Sequence, residues 1–183
     1  MVDYKKIADA VEYYKNFDYK YIEVPWIISL DTMLITRPPG ARLFSTFAGE
    51  LVASGEQSFL EIRKKLKPGK YQCVTPCFRD EKIRDKLHKQ YFIKNELIWI
   101  PEPTKDVPYC HLVDKMLAEV LPFFKRYFDA KVIEVPIDNA HVNKDIFING
   151  IEVGSYGCRS LGSFTWIYGT GCAEPRLTQA IKG

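Results

Sequence analysis

The stretch 70–100, KYQCVTPCFRDEKIRDKLHKQYFIKNELIWI, decides the fold. Its two ends, 70–79 and 90–100, are rich in β-branched and aromatic residues and read as strands. Between them Asp80–Lys89 mixes acids and bases with little apolar content, which predicts a long, solvated hairpin loop. A hairpin makes its strands antiparallel, and alternate side chains then share a face. Arg79, Glu81, His88 and Phe92 are expected to converge on one such face. Together they make a kit for ATP. An arginine presents a charged fork to a phosphate, an aromatic ring stacks on adenine, and a carboxylate accepts from an amine. A purely structural charged hairpin fits the same residues equally well.

Upstream, residues 4–16 carry helical spacing, with Ile7, Val11 and Tyr14 on one face. Tyr19–Ile28 reads as a strand interrupted by Pro25, and Arg37-Pro38-Pro39-Gly40 as a loop. Ser54 opens an expected helix to Leu66, with Ser54 and Gln57 at capping-box spacing and Pro68-Gly69 ending it.

Downstream, Asp106–Tyr127 shows a helical pattern, with Pro108 near its start and Pro122 expected to kink or shorten it. Strands are expected at 131–136, 145–148, 151–155 and 164–168, then a short helix at 174–182. This order predicts an α+β class: one domain over 1–183, a mostly antiparallel β-sheet flanked by helices, with the helices on one side.

Composition bounds the function. Of 183 residues 46% are apolar, enough for a substantial core in a single domain. A net charge of +3 is too small to argue for nucleic acid and suits an anionic nucleotide as well. The five cysteines, Cys73, Cys77, Cys110, Cys158 and Cys172, lack zinc-site spacing and read as free thiols of a reducing compartment. No signal peptide and no bilayer-spanning run is visible, so the expected location is the cytoplasm, with no membrane partner.

Two further segments carry chemistry. In GTGCAEPR, 169–176, a strand is expected to run into a small-residue turn and then a helix. Small residues let a ligand approach the backbone, and Arg176 at the helix start adds to a positive field that suits a γ-phosphate. A merely structural turn is the alternative. In DIFINGIEVGSYGCR, 145–159, Asn149-Gly150 is a hairpin signal. Asp145 and Glu152 then lie on paired strands and could both reach Mg²⁺; two exposed edge carboxylates are the plainer alternative.

These segments, in this order, resemble the motifs of class II aminoacyl-tRNA synthetases. Ile22-Glu23-Val24-Pro25-Trp26-Ile27 resembles the first motif, whose proline sits at a dimer interface. Phe78-Arg79-Asp80-Glu81 with His88 and Phe92 resembles the second, and Gly169-x-Gly171 through Arg176 the third. Asn149 to Arg159, and His88-x-x-x-Phe92-x-x-x-Glu96, are most similar to the aspartyl, asparaginyl and lysyl subclass.

The resemblance implies a class II catalytic fold and ATP-dependent activation of an amino acid, or a similar carboxylate, as an acyl-adenylate. An aspartate- or asparagine-like substrate is implied, with an open choice of acyl acceptor. It assigns Arg79 to the α-phosphate, Glu81 and Phe92 to the adenine, and His88 to the outer phosphates. Arg176 would stack on adenine and reach the γ-phosphate, which makes Arg79 and Arg176 the catalytic pair. Asp145 and Glu152 would hold Mg²⁺, Arg159 would read a substrate side chain, and Ser54, Glu56 and Gln57 at a helix start would contact the amino acid. A homodimer and tRNA are the implied macromolecular partners.

Three departures stand out. Phe59 and Leu60 occupy the place of an expected lysine, Ala173 replaces a third glycine, and Pro175 replaces an acidic residue. The chain also leaves no room for an anticodon-binding domain. A non-catalytic, synthetase-like binding or regulatory subunit is the alternative function, and a generic antiparallel domain with chance motifs a third.

Overall fold

The structure is a computed structural model that describes residues 1–80, 89–103, 109–134 and 143–183. The chain runs α1 (Tyr4–Lys15), β1 (Lys20–Tyr21), β2 (Ile27–Ile28), α2 (Leu30–Thr36), β3 (Ser45–Thr46), β4 (Gly49–Leu51) and α3 (Gly55–Glu61). A 3-10 turn at Arg63–Lys65 leads to β5 (Gly69–Phe78) and β6 (Tyr91–Ile100). Then come α4 (Tyr109–Lys125), β7 (Lys131–Glu134), β8 (Asn143–Ile148), β9 (Ile151–Leu161), β10 (Phe164–Glu174) and α5 (Arg176–Lys182).

The hairpin expected from 70–100 is the middle of the molecule. β5 and β6 pair antiparallel in unbroken register from Gly69↔Ile100 to Phe78↔Tyr91. They sit in a seven-stranded sheet of order β1-β5-β6-β10-β9-β8-β7, antiparallel except for the parallel pair β1–β5. The class is therefore α+β with a mostly antiparallel sheet, as expected.

Alternation gives the sheet two distinct faces. Leu97, Tyr156, Cys158, Ile167 and Cys172 point to one side, where Ile7, Ala10, Tyr13 and Tyr14 of α1, Met116 and Phe123 of α4, and Leu177 of α5 bury against them. Asp3 caps α1 by accepting from the Lys5 and Lys6 amides. Ile98, Ile100, Trp166 and Tyr168 point to the other side and pack on Phe59 and Leu60 of α3. Helices thus lie on both faces, not on one. Beside α3, β2, β4 and β3 form a small second sheet.

Other expectations are corrected. Tyr19–Ile28 is not one strand: β1 joins the large sheet and β2 the small one, with Pro25 between them. The helix opened by Ser54 ends at Glu61 rather than Leu66. Ser54 makes no side-chain cap, and the Gln57 Oε1 accepts instead from the Ala53 amide at 2.8 Å, so no capping box forms. α4 continues through Pro122 to Lys125. Asn149 and Gly150 do form the β8–β9 turn, with φ of 50° and 75°, the left-handed pair a tight hairpin needs. Asn149 also donates to the Ala180 carbonyl, tying that turn to α5.

The largest correction concerns Gly169–Glu174. It is not a turn but the second half of β10, with a bulge between Thr170 and Cys172. All five cysteines are free, and only Cys110 is not buried. Among the described residues no helix is long and apolar enough to cross a membrane.

Candidate active site

Three residues of β6 define the floor of the site. Phe92, Lys94 and Glu96 alternate with Ile93, Asn95 and Leu97, so they share the α3 face while their neighbours enter the helix-side core. Arg79 follows directly on β5. Its amide extends the hairpin ladder by donating to the Gln90 carbonyl at 2.8 Å. Its Nε donates to the Ala53 carbonyl at 3.2 Å, and its guanidinium lies 5.0 Å from the Phe92 ring centroid. Arg79 and Phe92 therefore meet as expected; Glu81 and His88 lie outside the described residues.

Two adjacent cavities lie on this floor. The smaller, about 90 Å³, has Arg79, Phe92, Lys94, Glu152 and Arg176 in its wall. The larger, about 650 Å³, has Arg79, Ser54, Glu56, Gln57, Glu96 and Arg159, with an apolar rim that includes Met33, Leu43 and Phe78. Arg79, Lys94 and Ser155 line both. The smaller cavity brings together Arg79, Phe92, Glu152 and Arg176 of the residues expected around a nucleotide and its metal; the larger brings together Ser54, Glu56, Gln57 and Arg159, expected around the carboxylate substrate.

α3 reaches the floor because its first residue is glycine. A Cβ on Gly55 would lie 2.8 Å from the Glu96 Cβ and 2.9 Å from the Cys73 sulfur, so no larger side chain lets the helix start approach β5 and β6. That approach buries Glu56 and Gln57. Both Glu56 oxygens are engaged: Oε2 accepts from Arg159 Nη1 at 2.6 Å and Oε1 from Trp166 Nε1 at 2.7 Å. Arg159 in turn lies 4.3 Å from the Tyr168 ring centroid. The expected reader of a substrate side chain is thus paired with a carboxylate of its own chain.

Glu96 is the opposite case. Its Oε1 accepts from Lys94 Nζ at 2.9 Å, while its buried Oε2 has no hydrogen-bond partner. Burial pushes its carboxyl above the ordinary value of 4.5, against the pull of Lys94. Glu96 thus leaves one buried acceptor oxygen unsatisfied in the wall of the larger cavity.

Arg176 is the first residue of α5, as expected, and its Nη1 stands 3.7 Å from Glu152 Oε1. Its helix is anchored by Glu174, fully buried, which accepts from the Asp3 amide and from the amide and hydroxyl of Thr178. Asp145 and Glu152 lie on paired strands: Asp145 opposes Ser155 and Glu152 opposes Phe147. Burial raises the Asp145 carboxyl above 3.8, and the nearby Glu152 charge raises it further. Glu152 lines the smaller cavity, and Asp145 lines neither of the two. No cluster of three or more metal-ligating side chains exists among the described residues. Two carboxylates on paired strands, one of them in the wall of the smaller cavity, are oxygen donors of the kind a Mg²⁺ takes together with phosphate oxygens.

What approaches the glycines of β10 is protein, not ligand. A Cβ on Gly169 would meet the Met116 sulfur and the Tyr156 ring; one on Gly171 would meet the Asn95 amide and Tyr14. Tyr14 donates to the Gly171 carbonyl at 2.9 Å and Tyr156 to that of Thr170 at 2.6 Å, both from the helix side.

Sequence reasoning missed Lys94, Trp166 and Tyr168. Lys94 was findable, two residues from Phe92 and so on its face. Trp166 and Tyr168 carried no local signal, because their partners Glu56, Asn143 and Arg159 come from other strands and α3.

Against known proteins, no family model and no curated sequence matches the chain. Solved structures do. A cytoplasmic serine-tRNA ligase from Naegleria fowleri in complex with AMP matches over 96% of this chain, with a TM-score of 0.75 at 15% identity. A pyrrolysyl tRNA synthetase from Desulfitobacterium hafniense matches over 98%, with a TM-score of 0.72 at 16% identity. The fold is class II synthetase-like. The chain spans 52% of the length of the first and 67% of the second.

Proposed function

We propose that this synthetase-like chain binds ATP and activates an amino acid, or a similar carboxylate, as an acyl-adenylate. One observation carries this: Arg79, Phe92 and Arg176 line one cavity, and Arg79 and Lys94 also line a second, where Glu96 has a buried oxygen without a partner. Adenine fits against the Phe92 ring, with Arg176 across from it. Glu96 Oε2 suits a substrate ammonium. The substrate carboxylate then lies where the cavities meet, beside Arg79.

Its oxygen attacks the α-phosphorus in line, a P–O bond forms, the bond to the β-phosphate oxygen breaks, and pyrophosphate leaves. No side-chain nucleophile is needed. Arg79 and Arg176 stabilise the charge that builds on the phosphoryl oxygens, and the two cavities hold the reactants in line. Asp145 and Glu152 would hold Mg²⁺, which when bound shields phosphate charge.

Arg79→Ala is expected to lower amino-acid-dependent ATP–pyrophosphate exchange about 10²–10³-fold, as for loss of one charge-stabilising donor. Unchanged exchange in a folded variant would sink the assignment. Nucleotide binding by the wild type without exchange for any amino acid would instead favour a binding or regulatory subunit.

A two-fold dimer through the β1–β2 segment is part of this proposal. Trp26 and Ile27 there, with Leu30 and Leu34 of the following α2, are each 41–53% exposed, large apolar side chains that a second copy would cover. Sedimentation at micromolar concentration should show dimer, and a persistent monomer would remove this part. Transfer of the acyl group to tRNA is a further step that the resemblance implies and exchange assays with and without total tRNA would test.

A further inference from the structure

We propose that the larger cavity selects an amino acid with a neutral side chain, and that Glu56 is the residue that enforces this. The inference rests on the proposed function, since it names the substrate class of that same cavity. Of the aspartate- or asparagine-like substrate that the resemblance implies for Arg159, it keeps the neutral kind and drops the acidic one.

Arg159 and Glu56 form a closed unit. Their 2.6 Å contact neutralises both charges, with only 29% of the arginine and 7% of the glutamate side chain exposed. Each partner is also held from behind: Trp166 Nε1 fixes the second Glu56 oxygen, and the Tyr168 ring lies against the guanidinium. Tyr168 is itself held by its donation to Asn143 Oδ1 at 2.8 Å.

An acidic side chain seeking Arg159 has to displace Glu56, and that leaves two carboxylates side by side in a mostly buried place. A cationic side chain seeking Glu56 has to displace Arg159, with the mirror-image result. Removing one partner of a buried pair exposes the other to the full cost of an uncompensated charge. A neutral side chain leaves the pair intact. Part of the wall agrees: Met33, Leu43, Phe78 and two prolines line the same cavity, alongside the charged Arg37, Arg42 and Asp80.

The test is calorimetric binding of free amino acids to the full chain, which needs no catalysis. For the wild type, aspartate, glutamate and lysine should bind at least about 100-fold more weakly than the best neutral amino acid. Glu56→Gln keeps an acceptor for Trp166 but frees the arginine charge, and should strengthen aspartate or glutamate binding about 10-fold or more. Arg159→Gln frees the carboxylate instead and should strengthen lysine binding by a similar factor, so the inference remains testable if one variant fails to fold. Wild-type binding of aspartate, glutamate or lysine as tight as that of any neutral amino acid overturns the inference, as does a folded variant without its gain. No binding of any amino acid by the wild type or the variants would overturn the amino-acid function and the inference with it, whereas wild-type binding that ignores side-chain charge overturns the inference alone.

Discussion

The two faces of one sheet differ more than any two segments of the chain. On the helix side Tyr14, Asn95, Tyr156 and Met116 close around Gly169 and Gly171 with no room for a methyl group. On the α3 side the same strands present Phe92, Lys94, Glu96, Ser155 and Arg159 to a cavity of about 650 Å³ and its smaller neighbour. Packing sets the identity of residues on the first face, and charge sets it on the second. Adjacent residues of β6 belong to different arguments: Asn95 is about fit, Lys94 and Glu96 about ligand.

The strongest way to break that contrast is at the β10 bulge. Gly171→Ala should destabilise the fold by about 3 kcal/mol, at the upper end for forcing volume into a packed core, because the new methyl lands on Asn95 and Tyr14. Ser155→Ala, on the open face, should change stability by less than about 0.5 kcal/mol. Urea unfolding of both variants decides it. If Gly171→Ala kept its stability but lost nucleotide binding, the glycine would be there for a ligand after all, and the division between the faces would fail.

That glycine segment also shows where local reading stops. Two glycines, a small-residue run and a following helix look like a phosphate turn, because glycine is poor in strands and good in turns. The strand forms anyway, since α1 and α4 press against it and its carbonyls gain Tyr14 and Tyr156 as donors. β5 and β6, by contrast, were legible almost to the residue from β-forming runs on either side of a charged loop. Arg79 and Phe92 followed from them by alternation alone. The Glu56–Arg159 pair spans 103 positions and no local pattern encodes it. α2 did leave a trace: Ser29 accepts from the Thr32 amide as a cap, with Asp31 in the first turn.

A smaller effect sharpens the contrast from the open face. Glu96 is raised above 4.5 by burial, and Asp145 and Glu174 are raised as well, mainly by the same cause. A carboxyl whose folded value is raised holds its proton more tightly in the folded state. Stability should therefore increase as pH falls from neutrality through the raised values, and the gain is complete only below the ordinary values of 4.5 for the two glutamates and 3.8 for Asp145. Glu96→Gln mimics the protonated form. It should raise the melting temperature at pH 7, leave it nearly unchanged near pH 4.5, and flatten the profile between. A variant that melts lower at pH 7 would mean that the Lys94 contact outweighs the cost of burying the charge.

The smallest expected effect concerns the start of α3. An N-cap serine whose hydroxyl bonds the helix amides contributes about 1 kcal/mol, and Ser54 stands at that position. Its side chain makes no such bond, and the Ala53 amide is instead satisfied by Gln57. Ser54→Ala should accordingly cost less than about 0.5 kcal/mol in urea unfolding. Gln57→Ala should cost more, because it strands a part-buried backbone donor. Ser54 also lines the larger cavity, so its hydroxyl remains free for a substrate. A full capping penalty for Ser54→Ala would place the serine with the packed face and return α3 to an ordinary helix start. A variant with intact stability but weaker amino-acid binding would place it with the ligand.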